Sequence, residues 1–280
     1  MFHLPFRRRL SNAQRTTWQE HGYLHLKGVV SRAELHRVKR SVEQNWANPQ
    51  DNPHNVDVLT GQYAGQCFQM KDTPPLVKAE AYKLNNLFLY DNSIRSVALS
   101  RRLKPIIEEL LGCEPMICNS LNFERGSQQD AHIDSWYMPP PDDKSMVAAS
   151  ISLDAVDDSN GPIFFYPGSH KISPYRFSDG RLNVIDSEFS ACLAYIRAEI
   201  EQRSLPLIRY RGDPGDVFIW HGQLIHGGSP ILDFARTRNS LVVHYWRAQD
   251  VAKQSVARDE GGRAYLAHTL RGELEPLRML

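Results

Sequence analysis

Along the first hundred residues the apolar positions recur mainly at helical spacing. Ser11 precedes NAQRTTWQEHG, which predicts a capped helix ending at Gly22. YLHLKGVV, residues 23–30, alternates and turns β-branched at its end, predicting a short strand. Ser31-Arg-Ala-Glu34 is a capping box. It opens a helix whose Leu35, Val38, Val42 and Trp46 share one face. Residues 47–75 are rich in Asn, Asp, Pro, Gly and Gln and predict a long irregular segment, the kind that serves as a binding loop or lid. Another helix is predicted over 93–111, with a break near Pro105 and an end at Gly112.

After Pro115 the period changes. Segments 116–124, 145–155, 162–167, 206–211, 215–221 and 240–247 are short, apolar or alternating, and bounded by Gly, Pro, Asn and Asp. Such a series predicts a sandwich or barrel. One helix interrupts it at 186–203, where Phe189, Cys192, Leu193, Ile196 and Ile200 fall on one face. The chain shows no internal repeat and no linker composition. It reads as one domain: a helix-rich part over 1–112, a β-rich core over about 113–248 and a tail over 249–280.

Composition narrows the function classes. A chain of 280 residues with 41% hydrophobic and 23% charged residues is an ordinary globular one. A formal net charge of +1 gives no electrostatic case for nucleic acid or an anionic membrane. The run Arg7-Arg8-Arg9 reads as a solvated tail. No apolar run approaches a membrane span, and MFHLPFRRRL lacks the apolar core of a secretory signal. The four cysteines are scattered and form no CxxC pair, which argues against structural zinc or a disulfide framework and fits a cytoplasmic setting.

Chemistry concentrates at three places. In AHIDSWYM, residues 131–138, His132 and Asp134 flank Ile133. At a strand end they would project to one side, with Ile133 pointing away. An imidazole and a carboxylate suit divalent iron, and a second histidine would complete one triangular face, leaving positions open for oxygen and a cosubstrate. GDVFIWHGQLIHGGSP, residues 215–230, offers His221 and His226. His226 is favoured, because Gly227-Gly228 lets backbone lie close to a bound group; His221 would orient a ligand or hold the loop. Finally, Arg238 and Ser240 share a strand face ahead of LVVHYW, where a guanidinium and a hydroxyl can hold an anionic cosubstrate. Arg236 has the same parity and competes with Arg238.

The ordered set resembles the phytanoyl-CoA dioxygenase family of iron- and 2-oxoglutarate-dependent oxygenases. QRTTWQEHGYLHLKGVVS looks like its entry helix and strand, and FERGSQQDAHID like the segment with the first two metal ligands. NGPIFFYPGSHK is similar to its Asn-Gly-Pro turn, strand and Pro-Gly-Ser-His turn, and GDVFIWHGQLIHGGSP to its distal-histidine segment. The resemblance implies a double-stranded β-helix (a jelly roll with outer helices), iron(II) on His132, Asp134 and His226, and the far carboxylate of 2-oxoglutarate on Arg238 with Ser240 helping. It makes Pro167-Gly168-Ser169 a structural turn near the mouth and His170 a turn or supporting residue. The family's arginine usually follows the distal histidine by one residue fewer, which keeps Arg236 in contention.

The same resemblance implies that O2 is consumed and that succinate and CO2 leave. Related halogenases carry a small residue where this chain keeps Asp134, so hydroxylation of a small molecule is favoured; desaturation, ring formation and epimerisation use the same centre. Asn119 and Gln129 are candidates for binding cosubstrate or substrate, and Trp136 and Tyr137 for lining the substrate pocket. Segments 47–75 and 135–145 are candidate lids. The rival readings are a non-catalytic jelly roll that binds a small ligand, and a metal oxygenase or isomerase that needs no 2-oxoglutarate. Oligomeric state is not legible.

Overall fold

The computed structural model describes residues 9–142 and 145–269. Arg7 and Arg8, positions 143 and 144 of the 135–145 loop, and tail residues 270–280 lie outside the described residues.

Two capping boxes organise the entry. Ser11 accepts from the N–H of Gln14, whose side chain accepts in return, and α1 (Asn12–His21) begins there and ends at Gly22 with φ 75°. β1 (Tyr23–Leu26) is shorter than the predicted strand because the chain turns at Gly28, φ 59°. Ser31 and Glu34 cap α2 (Arg32–Ala47), which buries Leu35, Val38 and Val42 and packs Trp46 against the same core.

The 47–75 segment is more ordered than its composition predicts. β2 (Asn55–Val58) and β3 (Cys67–Gln69) form an antiparallel hairpin, and β4 (Tyr82–Asn85) pairs with β2. Asp57 and Gln69 within these strands disguise the alternation. α3 (Leu87–Tyr90), α4 (Asn92–Ala98) and α5 (Lys104–Leu111) follow. The helix predicted over 93–111 is two, and the break expected near Pro105 falls just before it, with Pro105 in the first turn of α5, where its missing N–H leaves no hydrogen bond unmade.

β5 (Pro115–Phe123), β6 (Met146–Ser152), β7 (Ile163–Phe165), α6 (Phe189–Gln202), β8 (Ile208–Arg209), β9 (Val217–His221) and β11 (Ser240–Arg247) lie on the predicted segments, whereas β10 (His226–Gly228) falls outside all of them. Residues 249–269, read as tail, carry β12 (Val256–Arg258) and β13 (Ala264–Leu266), the latter parallel to β5.

The large sheet runs β1-β9-β6-β11-β5-β4-β2-β3, and the small one β10-β7-β8. Period-two alternation sorts the side chains. Val217 and Ile219 of β9 and Leu241, Val243 and Tyr245 of β11 join the core that faces the helices. Phe218 and Trp220 of β9 and Val242 of β11 turn inward to meet Ile163 and Phe165 of the small sheet. The result is a jelly roll whose interior is reached from strand ends. Among the described residues, no helix is long and apolar enough to cross a membrane.

Candidate active site

Two segments 94 residues apart meet at a single β-bridge. The His132 N–H donates to the His226 carbonyl at 2.8 Å, and the His226 N–H returns a bond to His132 at 3.0 Å. This directly opposed pair puts both imidazoles side by side, ring centroids 4.4 Å apart. Each ring is oriented from behind: Nδ1–H of His132 donates to the Asp130 carbonyl at 2.7 Å, and Nδ1–H of His226 to the Leu224 carbonyl at 2.9 Å. Both Nε2 lone pairs are therefore free to face a metal. Burial, reinforced by His226, lowers His132 to about 3, so its ring is neutral.

Gly227 and Gly228 make this pairing possible. A Cβ on Gly227 would lie 2.6 Å from the Gln129 carbonyl, and one on Gly228 only 2.7 Å from the Gln128 nitrogen. The sequence placed these glycines beside a bound group; they instead admit the strand that carries His132. Ser169 of the Pro-Gly-Ser turn helps from outside, its hydroxyl accepting the Ile225 N–H at 2.8 Å.

Asp134 opens a short 3-10 turn over Asp134–Trp136. Its Oδ1 lies 3.6 Å from His226 Nε2 and 4.0 Å from His132 Nε2. Three ligand atoms, one from each residue, lie within 4.8 Å of one another, a cluster that can hold a metal ion. Burial opposes charge on Asp134, yet His226, His244 and His132 hold it below the usual carboxylate range. Trp220 Nε1–H donates to Oδ2 at 2.7 Å, and His244 Nε2 sits 3.4 Å from Oδ1. Asp134 is thus fixed at both oxygens. Trp220→Phe and His244→Phe are each expected to weaken iron(II) binding by about 10- to 100-fold, the usual penalty for losing such a partner. Anaerobic equilibrium dialysis checks this, and wild-type affinity in both variants would remove the two residues from the site.

Arg238, Ser240, Val242 and His244 share the inner face by parity. Arg238 is 3% exposed, and burial lowers it to about 10, so it stays charged. Its Nε and the Ser240 Oγ are buried without hydrogen-bond partners, and no carboxylate among the described residues pairs with this guanidinium. Arg236 differs: it is a surface residue bound to Asp157 at 2.7 Å and to the Ser159 hydroxyl at 2.6 Å. Across the sheet, Asn119 stands opposite His244; its amide donates to Asn86 Oδ1 while its own Oδ1 is buried without a partner.

A cavity of about 920 Å³, counted to its open mouth, leads to His132. Tyr137 and Gln129 line it, together with Asp57, Val58 and Leu59 from the 47–75 segment. The candidate lid is therefore a wall built on the large sheet. Trp136 does not line this cavity: the 3-10 turn aims it into the buried cluster with Ile133 and Phe189, its ring edge-on at 5.4 Å to Phe189, which itself lines the cavity. His221 contacts Trp18 and His170 and accepts the Gln223 N–H at 3.1 Å, so it holds the loop rather than a ligand. His170 sits in the Ser169–Lys171 turn against Gln19, at 3.3 Å.

The sequence profile of phytanoyl-CoA dioxygenase (PhyH) matches residues 18–233. This chain belongs to that family. A probable phytanoyl-CoA dioxygenase of Caenorhabditis elegans is 22% identical over 232 residues, 78% of this chain and 70% of the relative. The α-ketoglutarate-dependent carbocyclase SnoK of nogalamycin biosynthesis superposes with TM-score 0.64 at 17% identity, over 86% of this chain and 85% of its own. EctD of S. alaskensis, crystallised with 2-oxoglutarate and 5-hydroxyectoine, gives TM-score 0.61 at 18% identity, over 97% and 87%.

The phytanoyl-CoA dioxygenase match covers the three cluster residues and ends before Arg238, whose placement rests on the geometry above. Three residues at this site escaped the sequence reading. His244 was available, since the parity that joined Arg238 to Ser240 runs on to it. Trp220 was available too, as the inward partner of Phe218. Lys83, which lines the cavity from β4, carried no such signal, because β4 was not predicted.

Proposed function

We propose that this protein is an iron(II)- and 2-oxoglutarate-dependent dioxygenase that hydroxylates a C–H bond of a small metabolite or natural-product intermediate. One observation carries the reading: a buried His132–Asp134–His226 cluster shares its interior with a buried arginine that has no counter-ion among the described residues. The donors fit the metal, two imidazole nitrogens and one carboxylate with sides left open. The unpartnered Arg238 Nε and Ser240 Oγ fit a carboxylate. Iron(II) held here with 2-oxoglutarate would supply O2-driven decarboxylation to succinate and CO2, coupled to C–H oxidation.

The protein's own part is positioning. The Asp130 and Leu224 carbonyls aim the two imidazoles, and Trp220 with His244 holds Asp134 in one orientation. Arg238 and Ser240 would fix the far end of the cosubstrate. Phe218, Trp220 and Val242 keep the interior apolar, which strengthens those charged contacts. Asn119 and Gln129 remain candidates for cosubstrate or substrate contact, and Tyr137 for the substrate wall. Ring formation, as the name of SnoK records for that enzyme, is the alternative outcome of the same centre.

The test is anaerobic titration of iron(II), then 2-oxoglutarate, into apoprotein. A visible charge-transfer band that appears only with both, in one-to-one stoichiometry, is expected. Iron binding without that band would support the reading in which the metal works without 2-oxoglutarate.

A further inference from the structure

The inner face of the large sheet is built in rows. Register places Trp220, Ala148, His244 and Asn119 in one row, beside Asp134. Phe218, Ser150, Val242 and Leu121 make the next, and Ser152, Ser240 and Phe123 the third. Cross-strand partners share a face, so all three rows look inward. From the first row to the third the strands rise by roughly 13 Å.

Tyr210, which follows β8, reaches the third row from the small sheet. Its N–H donates to the Ile163 carbonyl at 2.8 Å, its ring centroid lies 5.0 Å from that of Phe218, and its hydroxyl meets Ser152 Oγ at 2.9 Å. The hydroxyl has room because residue 212 is glycine: a Cβ there would collide with Tyr210 Oη. Two backbone hydrogen bonds with Val156, at 2.8 and 3.2 Å, pin Gly212 in place. The ring thus closes the interior at the end away from Asp134. Burial pushes Tyr210 up to about 12, so it keeps its proton.

Donors in this row outnumber acceptors. Tyr210 and Ser152 carry one O–H each, and their mutual bond uses only one of the two hydrogens. The other finds no acceptor among the described residues. Ser240 Oγ is buried without a partner, and so is Nε of Arg238, two residues earlier on the same face. Arg238 acts electrostatically on Tyr210. Stranding several buried donors in one place is costly unless an acceptor arrives. A carboxylate, which accepts at about four positions, matches them.

We propose that Tyr210, with Ser152, completes the anion site of Arg238 and Ser240 and forms its end wall, so that it selects the cosubstrate by chain length: 2-oxoglutarate fits, and its six-carbon homologue 2-oxoadipate is rejected. This inference rests on the function proposed above.

The test titrates the full chain, loaded with iron(II), anaerobically with 2-oxoglutarate or 2-oxoadipate and reads each affinity from the charge-transfer band. Wild type is expected to bind 2-oxoglutarate about tenfold or more tightly than 2-oxoadipate. Tyr210→Leu removes the end wall and is expected to bring 2-oxoadipate level with 2-oxoglutarate or ahead of it. Tyr210→Phe with Ser152→Ala keeps the ring and removes both hydroxyls. That double variant is expected to lose about tenfold or more in 2-oxoglutarate affinity while still rejecting 2-oxoadipate. Iron(II) affinity without any 2-oxo acid is expected to stay within about twofold in both variants, because neither residue belongs to the metal cluster. Equal wild-type binding of the two acids overturns the proposal. So does a length preference that survives in Tyr210→Leu, or full 2-oxoglutarate affinity in the double variant, which is decisive even where Tyr210→Leu fails to fold. A matching loss of iron(II) affinity would reduce Tyr210 to a packing role and overturn it too. No charge-transfer band in the wild type with either acid would instead sink the iron and 2-oxoglutarate reading itself.

Discussion

Asp134→Ala is expected to abolish succinate formation from 2-oxoglutarate. Asp134 is the sole carboxylate in the cluster, and imidazole ligands bring no negative charge to balance a divalent ion. Losing a hydrogen-bond partner of a metal ligand weakens binding about 10- to 100-fold, so losing the ligand itself is expected to exceed about 100-fold. The substitution also leaves the Trp220 N–H and His244 Nε2 facing a methyl group. Stranding such buried donors costs about 1–3 kcal/mol each, so the apoprotein should be measurably less stable yet still folded. Iron dialysis, succinate assay and thermal melting by circular dichroism measure the three effects separately. Activity retained with a normal melt would show that the carboxylate is not a ligand.

The second large effect belongs to the arginine. Each charged hydrogen bond to the cosubstrate is worth about 1.5–3 kcal/mol. Arg238→Met, which removes two of them, should raise the dissociation constant for 2-oxoglutarate by about 10²- to 10⁴-fold. Arg236→Ala breaks only an exposed ion pair with Asp157, of the kind worth about 0–1 kcal/mol, and should leave cosubstrate binding unchanged. Stability moves the opposite way. Replacing a buried unpaired charge with an apolar side chain relieves its desolvation, so Arg238→Met should melt higher than wild type without 2-oxoglutarate. Adding 2-oxoglutarate should raise the wild-type melt and leave the variant's alone, because only a ligand that binds shifts unfolding. A greater loss of affinity in the Arg236 variant would reverse the assignment.

Local chemistry was legible where short-range rules govern it. The capping boxes at Ser11 and Ser31 start helices where the residues said they would, because a cap involves only three neighbours. The strands of the core were legible by alternation, and His132, Asp134 and His226 by residue type and order. What the sequence hid was register. No local rule states that β4 lies beside β5, so the place of Lys83 in the cavity wall could not be seen, nor that Gly228 faces the 127–129 backbone. Trp136 was misplaced for a related reason: alternation fails in a 3-10 turn, and the ring swings into the cluster under α6. Tyr137, one residue on, lines the cavity.

The bridge between His132 and His226 has a bearing on which ion the site holds. Backbone pairing fixes these two nitrogens, so the protein does not select an ion by folding around it. A rigid set of two imidazoles and a carboxylate ranks divalent metals by their intrinsic order, in which cobalt, nickel and copper all outcompete iron(II). Occupancy by iron is then a matter of supply. Competing ions are thus expected to inactivate by substitution, with every strand still in place.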